Sequence, residues 1–128
     1  MKKKILIINA NYYKEISLGL LKSTKSFLPK NYIIKMIDVP GVFEIPVTIS
    51  KNLKKFDAFI ALGCVIKGQT PHFDFISQAS TEAIMWLSIK SKKPIGNGIL
   101  TCLNMKQAKA RKKKGEEAAK AVLSILSQ

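Results

Sequence analysis

One nine-residue stretch of the chain combines residue types suited to moving a proton beside a bound anion. Residues 66–74 read IKGQTPHFD and include the only histidine, His72. Thr70 is a favoured N-cap residue and Pro71 suits the first helical position, so a helix is expected to begin here. The N–H groups at a helix N-terminus bind phosphate well. The same helix end favours a neutral imidazole, which accepts and returns protons. The alternative is a histidine that only caps or packs.

A second stretch, residues 39–46, reads VPGVFEIP and predicts another turn that leads into a helix. Phe43 and Glu44 follow the Pro-Gly pair, and an aromatic ring there could stack on a flat heterocycle. For Glu44 the alternative is simple compensation of the helix dipole in a first turn. Tyr12 lies in an earlier turn and offers another stacking surface, although a loop tyrosine often serves packing alone.

Four short apolar runs are expected to position these turns. They occupy residues 5–8, 32–39, 56–66 and 95–100, and a turn and a segment with helical spacing follow each run. Strands that alternate with helices predict βαβ units, a parallel sheet and helices on both faces. In such folds ligands bind at the carboxyl ends of the strands, where these turns lie.

The run at 56–66 is the most apolar and predicts a central buried strand, and a long helix is expected over residues 71–90. Residues that are mostly apolar also recur with helical spacing in the other predicted helices, which favours one apolar side for the first and the last of them. The recurring residues are Ile16, Leu20, Leu21, Thr24, Phe27 and Leu28 in the first helix, Phe43, Val47, Ile49 and Leu53 in the second, and Ala118, Ala119, Val122, Leu123 and Leu126 in the last.

Length and composition predict a single folded domain over residues 1–128, with 47% hydrophobic residues. The net charge of +14 permits a basic nucleic-acid-binding α/β domain. However, the basic residues are 21 lysines and one arginine, Arg111. Proteins that read nucleic acid usually depend on arginine, so a solvated lysine surface is the favoured interpretation and no nucleic-acid partner is expected.

Two cysteines and one histidine fit no zinc spacing, so no metal site is expected. The initial apolar run is too short for a signal peptide and no run is long enough to span a membrane, which predicts a soluble, cytoplasmic protein without a membrane partner. The chain has neither a P-loop nor a dinucleotide-binding fingerprint, and no nucleophile elbow.

Taken together, the two stretches resemble the 6,7-dimethyl-8-ribityllumazine synthase family. VPGVFEIP at 39–46 is similar to the family's V-P-G-A/S-F-E-I-P, and LGCVIKGQTPHFD at 62–74 to L-G-x-V-I-R/K-G-x-T-x-H-F/Y-D. The resemblance covers the chain from Ile5 onward. It implies a flavodoxin-like, three-layer αβα sandwich with a four-stranded parallel sheet.

The resemblance also implies an enzyme of riboflavin biosynthesis, at its penultimate step. The family condenses 5-amino-6-(D-ribitylamino)uracil with 3,4-dihydroxy-2-butanone 4-phosphate to the lumazine, phosphate and water, without a cofactor or metal. His72 matches the family's proton donor. The remaining matches are Tyr12, Val42, Phe43, Glu44, Cys64, Val65 and Ile66 for the pyrimidine and ribityl chain, and Gln69, Thr70, Arg111 and Lys114 for the phosphate.

The chain departs from the family pattern in two places that bear on assembly and binding. Asn97 stands where many members have phenylalanine, and its amide is expected to hydrogen-bond the pyrimidine instead. The connection over residues 111–115 is several residues shorter, and the N-terminal extension is nearly absent. Both favour a homopentamer over a larger shell. The resemblance further implies sites between adjacent subunits, with Asn97 and Arg111 supplied by the neighbour. The remaining alternative is a phosphate- or flavin-binding module of weak catalytic power.

Overall fold

Four parallel strands form one sheet in the order β2-β1-β3-β4. The computed structural model describes residues 2–128. Along the chain the elements are β1 (Lys4–Ala10), α1 (Lys14–Phe27), β2 (Ile33–Val39), a 3-10 turn (Val42–Glu44), α2 (Ile45–Asn52), β3 (Ala58–Ile66), α3 (His72–Ser91), β4 (Ile95–Cys102), α4 (Met105–Ala110) and α5 (Lys114–Leu126).

The inner strands β1 and β3 are buried on both faces, as the apolar runs predict. Every residue of β3 except Ile66 is buried, which confirms the expected central strand. Strand β2 lies at an edge of the sheet, where only Val39 is buried. Ile34 is half-buried against the core, whereas Ile37 is exposed, as expected for an edge strand.

Helices cover both faces of the sheet, which confirms the predicted flavodoxin-like three-layer architecture. On one face α1 and α5 contribute residues such as Leu20 and Val122 to a core that includes Ile7 of β1. On the other face α2 and α3 pack Ile49 and Leu87 against the opposite side of the strands. The connections bring all four strand ends to one edge of the sheet.

The structure adds three details to the predicted helices. Phe43 in the 3-10 turn and Val47 in α2 are 67% and 58% exposed, whereas Ile45 and Ile49 are the buried residues of α2. Phe27 ends α1 and lies 39% exposed under the ammonium of Lys120. The C-terminal helical segment consists of two helices, α4 and α5, which the turn at residues 111–113 separates, and Asn104 caps the start of α4 by accepting a hydrogen bond from the Gln107 N–H.

The start of the long helix also differs from the prediction. Helix α3 begins at His72, with Pro71 as its cap residue and no side-chain cap hydrogen bond. The Thr70 hydroxyl accepts from the His72 N–H at 3.5 Å, the outer limit for such a contact. Within residues 2–128, none of the helices is long and apolar enough to cross a membrane.

Candidate functional site

A small cavity of about 180 Å³ lies at the carboxyl ends of β1 and β3 and is called the strand-end cavity below. It brings together six of the residues predicted for the site. These are Tyr12, Val42, Cys64, Val65, Ile66 and His72, joined by Tyr13, Gly41 and Ile76. Residues from several turns and helices therefore converge on one pocket, although they lie far apart along the chain.

Gly63 allows the 3-10 turn to approach the sheet closely. A Cβ atom at this position would lie 2.8 Å from Val42 Cγ2 and 3.1 Å from Ala10 Cβ. Real carbon atoms do not approach so closely, so only glycine permits Val42 to pack here and to line the cavity. This contact explains why a glycine occupies the middle of a buried strand.

Cys64 forms an uncharged wall of the strand-end cavity. Its side chain is 8% exposed, and burial raises the pKa of the thiol to about 12, with a further contribution from the neighbouring Cys102. The thiolate is the nucleophilic form of cysteine, so this residue is not a nucleophile near neutral pH. Cys64 therefore behaves as a small buried hydrophobic residue.

Tyr12 and Tyr13 lie next to each other at the rim of the strand-end cavity. Tyr12 is 74% exposed, and its ring meets that of Tyr13 edge-to-face, with centroids 4.9 Å apart and planes at 83°. Burial, then the neighbouring Tyr12 and Cys64, raise the pKa of the Tyr13 phenol. Because Tyr12 is largely exposed beside this contact, its ring offers open surface on which a flat ligand can stack.

The turn between β3 and α3 opens to solvent at the cavity mouth. Gly68, Gln69, Thr70 and His72 are all exposed, and a Cβ atom added to Gly68 would have no neighbour within 4 Å. The N-terminus of the 20-residue helix α3 therefore faces an accessible space. Its dipole and first-turn N–H groups favour an anion there.

Phe43 and Glu44 do not line the strand-end cavity, although Val42 beside them does. They border a mostly apolar groove of about 450 Å³ between α2 and α3, together with Val47, Ala79 and other residues. The Glu44 carboxylate lies close to Gly41, 3.3 Å from where a Cβ atom would stand. The 3-10 turn therefore separates two neighbouring spaces.

Arg111 and Lys114 line a third space, a basic cavity of about 430 Å³ beside the end of β4. Arg111 Nη1 donates to the Gln107 carbonyl at 3.0 Å. Asn97 is exposed on β4, and its Oδ1 accepts a hydrogen bond from the Ile99 N–H at 3.0 Å. Within one chain, the residues predicted to bind phosphate thus lie in two separate places. Gln69 and Thr70 are in the turn before α3, whereas Arg111 and Lys114 are at the basic cavity.

Sequence reasoning missed one residue that lines the strand-end cavity, Ile76. It lies one helical turn after His72, so the two side chains share a face of α3. Helical spacing from the histidine could have identified it. Tyr13 and Gly41 were included only through the candidate turns that contain them.

Comparison with known proteins gives a consistent result over almost the whole chain. Residues 2–128 match the sequence model of the 6,7-dimethyl-8-ribityllumazine synthase family. A 6,7-dimethyl-8-ribityllumazine synthase of Bartonella bacilliformis is 42% identical over 133 residues, which cover 96% of this chain and 88% of the relative. The enzyme of the same name from Agrobacterium fabrum is 40% identical over 138 residues, which cover 98% and 93% of the two chains.

Proposed function

Because the chain belongs to the 6,7-dimethyl-8-ribityllumazine synthase family, we propose that the strand-end cavity and the turns around it form its active site. The reaction is the lumazine synthase reaction, the penultimate step of riboflavin biosynthesis. It joins 5-amino-6-(D-ribitylamino)uracil to 3,4-dihydroxy-2-butanone 4-phosphate and releases phosphate and water.

The observation that carries the site assignment is the convergence of Tyr12, Cys64 and His72 on one cavity beside the start of α3. Tyr12 stacks on the pyrimidine, while Val42, Cys64, Val65 and Ile66 form the wall against it. Phe43 and Glu44 hold the pyrimidine and ribityl chain from the adjacent groove. Gln69 and Thr70 receive the butanone phosphate at the N-terminus of α3.

The chemistry begins when the amine of the uracil condenses with the carbonyl of the butanone to an imine and releases one water. Phosphate is then eliminated, and the ribityl-bearing nitrogen closes the ring onto the remaining carbonyl with loss of a second water. His72 transfers protons between these steps, a contribution of about 10²–10⁴-fold. Holding two reactants in one geometry supplies up to about 7–11 kcal/mol, so positioning outweighs proton transfer in this site.

We further propose that the active form is a homopentamer whose sites lie between adjacent subunits. Support comes from the separation of the basic cavity from the strand-end cavity within one chain. A neighbouring copy that presents its Arg111, Lys114 and Asn97 would complete the site. Helix α3 also exposes a group of large apolar side chains, which is typical of a surface that another copy covers. They are Phe75, Met85, Trp86 and Ile89.

A cytoplasmic location belongs to the same proposal. Both cysteines are free and buried, which agrees with a reducing compartment. The substrates are small and soluble, and the proposed site needs neither a metal nor a cofactor.

The decisive experiment incubates the purified protein with both substrates and follows lumazine absorbance together with phosphate release. Formation of both products at equal rates, well above the uncatalysed rate, is the expected result. No product above that rate would refute the proposed site and reaction.

A mixing experiment tests the shared site. His72→Ala and Arg111→Ala subunits, inactive or weak alone, should regain activity when they are unfolded and refolded together, because some interfaces then hold both native residues. Light scattering gives the assembly in the same samples. Absence of any recovery in mixed assemblies would contradict a site built from two subunits.

A further inference from the structure

The first turn of α1 contacts the segment that carries Arg111. The Glu15 carboxylate lies 3.5 Å from the ammonium of Lys109 and 3.8 Å from that of Lys112. Lys109 lies in the last turn of α4 and Lys112 in the connection to α5, so the two lysines stand on either side of Arg111. One carboxylate thus holds this segment at two points.

A glycine one turn further along α1 provides a second contact with the same connection. A Cβ atom on Gly19 would lie 2.4 Å from Cδ of Lys112 and 2.9 Å from its Cγ. The aliphatic part of Lys112 therefore lies directly on the backbone of α1, and its ammonium continues to Glu15. Only a residue without a side chain leaves room for this path.

We infer that Glu15 and Gly19 are positioning residues that hold Arg111 in place for the phosphate of the substrate, an inference that rests on the proposed role of Arg111. Arg111 is exposed and donates to the carbonyl of Gln107 in its own helix. Within residues 2–128 it has no carboxylate partner that would fix it from another element. The direction of the Arg111 side chain therefore depends on the backbone at residues 109–112, and the contacts of Glu15 and Gly19 hold this backbone against α1.

The exposed ion pairs alone contribute little to the stability of the fold. Their effect on binding is larger because they act on a short, exposed segment that must be ordered before it can hold an anion. A segment already in its bound conformation loses less conformational freedom when the ligand binds. The expected function of this contact is thus to strengthen phosphate binding rather than to stabilise the protein.

The experiment is steady-state kinetics of the Glu15→Gln enzyme with each substrate varied in turn. The KM for 3,4-dihydroxy-2-butanone 4-phosphate should rise three- to tenfold, while kcat and the KM for the uracil stay within twofold of the parent. Electrostatics alone predicts the opposite sign, because removing a negative charge near the phosphate favours an anion. An unchanged or lower KM for the phosphate substrate would overturn the inference.

Three further variants test whether the rise in KM comes from the position of Arg111 rather than from the loss of any ion pair. Gly19→Ala keeps every charge and displaces Lys112, so it should raise the same KM. Glu15→Asp retains a carboxylate and should recover part of the loss. Glu116→Gln removes a comparable ion pair, 3.5 Å from Lys120 and also in a first helical turn, and should leave all three constants unchanged. An equal effect of Glu116→Gln would show that the result is not specific to Glu15.

Arg111→Lys distinguishes failure of this inference from failure of the proposed function. If Arg111→Lys raises the KM for the phosphate substrate and Glu15→Gln does not, Arg111 binds phosphate without help from α1. If neither variant changes this KM, Arg111 does not bind the phosphate and the inference falls with that assignment. Gly19→Ala provides the test should Glu15→Gln fold poorly.

Discussion

Replacing Gly115 by alanine should destabilise the protein, although alanine is the better helix former. Gly115 is the second residue of α5 and lies against α1. A Cβ atom there would stand 2.3 Å from the carbonyl oxygen of Leu20, 2.4 Å from Oγ1 of Thr24 and 2.9 Å from Oγ of Ser23. The nearest of these atoms is backbone and cannot rotate away, so the two helices must separate.

The opposing effects can be compared in magnitude. Alanine in place of glycine gains up to about 1 kcal/mol of helix propensity. Forcing an additional carbon into a closed helix contact costs about 1–3 kcal/mol. Separation of the helices also weakens the 2.8 Å hydrogen bond from the Glu116 N–H to the Ser23 hydroxyl, which contributes about 1 kcal/mol. The net expectation is a loss of about 1–3 kcal/mol in the free energy of unfolding.

Urea unfolding followed by circular dichroism measures this loss at one fixed protein concentration. Gly19→Ala is a matched control, because its new Cβ would meet only the flexible side chain of Lys112, 2.4 Å away at Cδ. That control should keep the parent stability or gain up to about 1 kcal/mol. An unfolding midpoint of Gly115→Ala at or above that of the parent would refute the argument.

Three other predictions concern the strand-end cavity. Tyr12→Ala should raise the KM for the uracil about twofold to tenfold, from the loss of ~0.5–1.5 kcal/mol of stacking. Tyr12→Phe should bind like the parent, and equal effects of the two would contradict stacking. His72→Ala should lower kcat by about 10²–10⁴-fold and still form product, as single-turnover assays would show. Burial raises the pKa of Cys64 from 9.0 to about 12 in the folded state, so folding favours the protonated thiol. The stability that this group contributes is therefore complete below about pH 9 and is lost as the pH rises toward 12. The free energy of unfolding of the parent should therefore fall more steeply over this pH range than that of Cys64→Ala, in which the Tyr13 phenol still contributes a loss.

The strands and the main turns were predictable because their signals are local. The apolar run at 56–66 is long enough to identify a central strand, and β3 occupies Ala58–Ile66. Alternation with helical segments predicted the parallel sheet and placed the turn at His72 at its carboxyl edge. The exposure of Phe43 and Val47 was not predictable, because helical spacing alone does not show whether an opposing surface exists.

By itself, the sequence determined the succession of strands and helices, the two turn motifs and the resemblance to a family, since each depends on neighbouring residues. Only the tertiary structure decided that Val42 and Phe43, adjacent in the chain, line different spaces. It alone separated Arg111 from the turn of His72 and laid Lys112 on Gly19. These features depend on contacts between segments distant in the chain, whose packing no local pattern specifies.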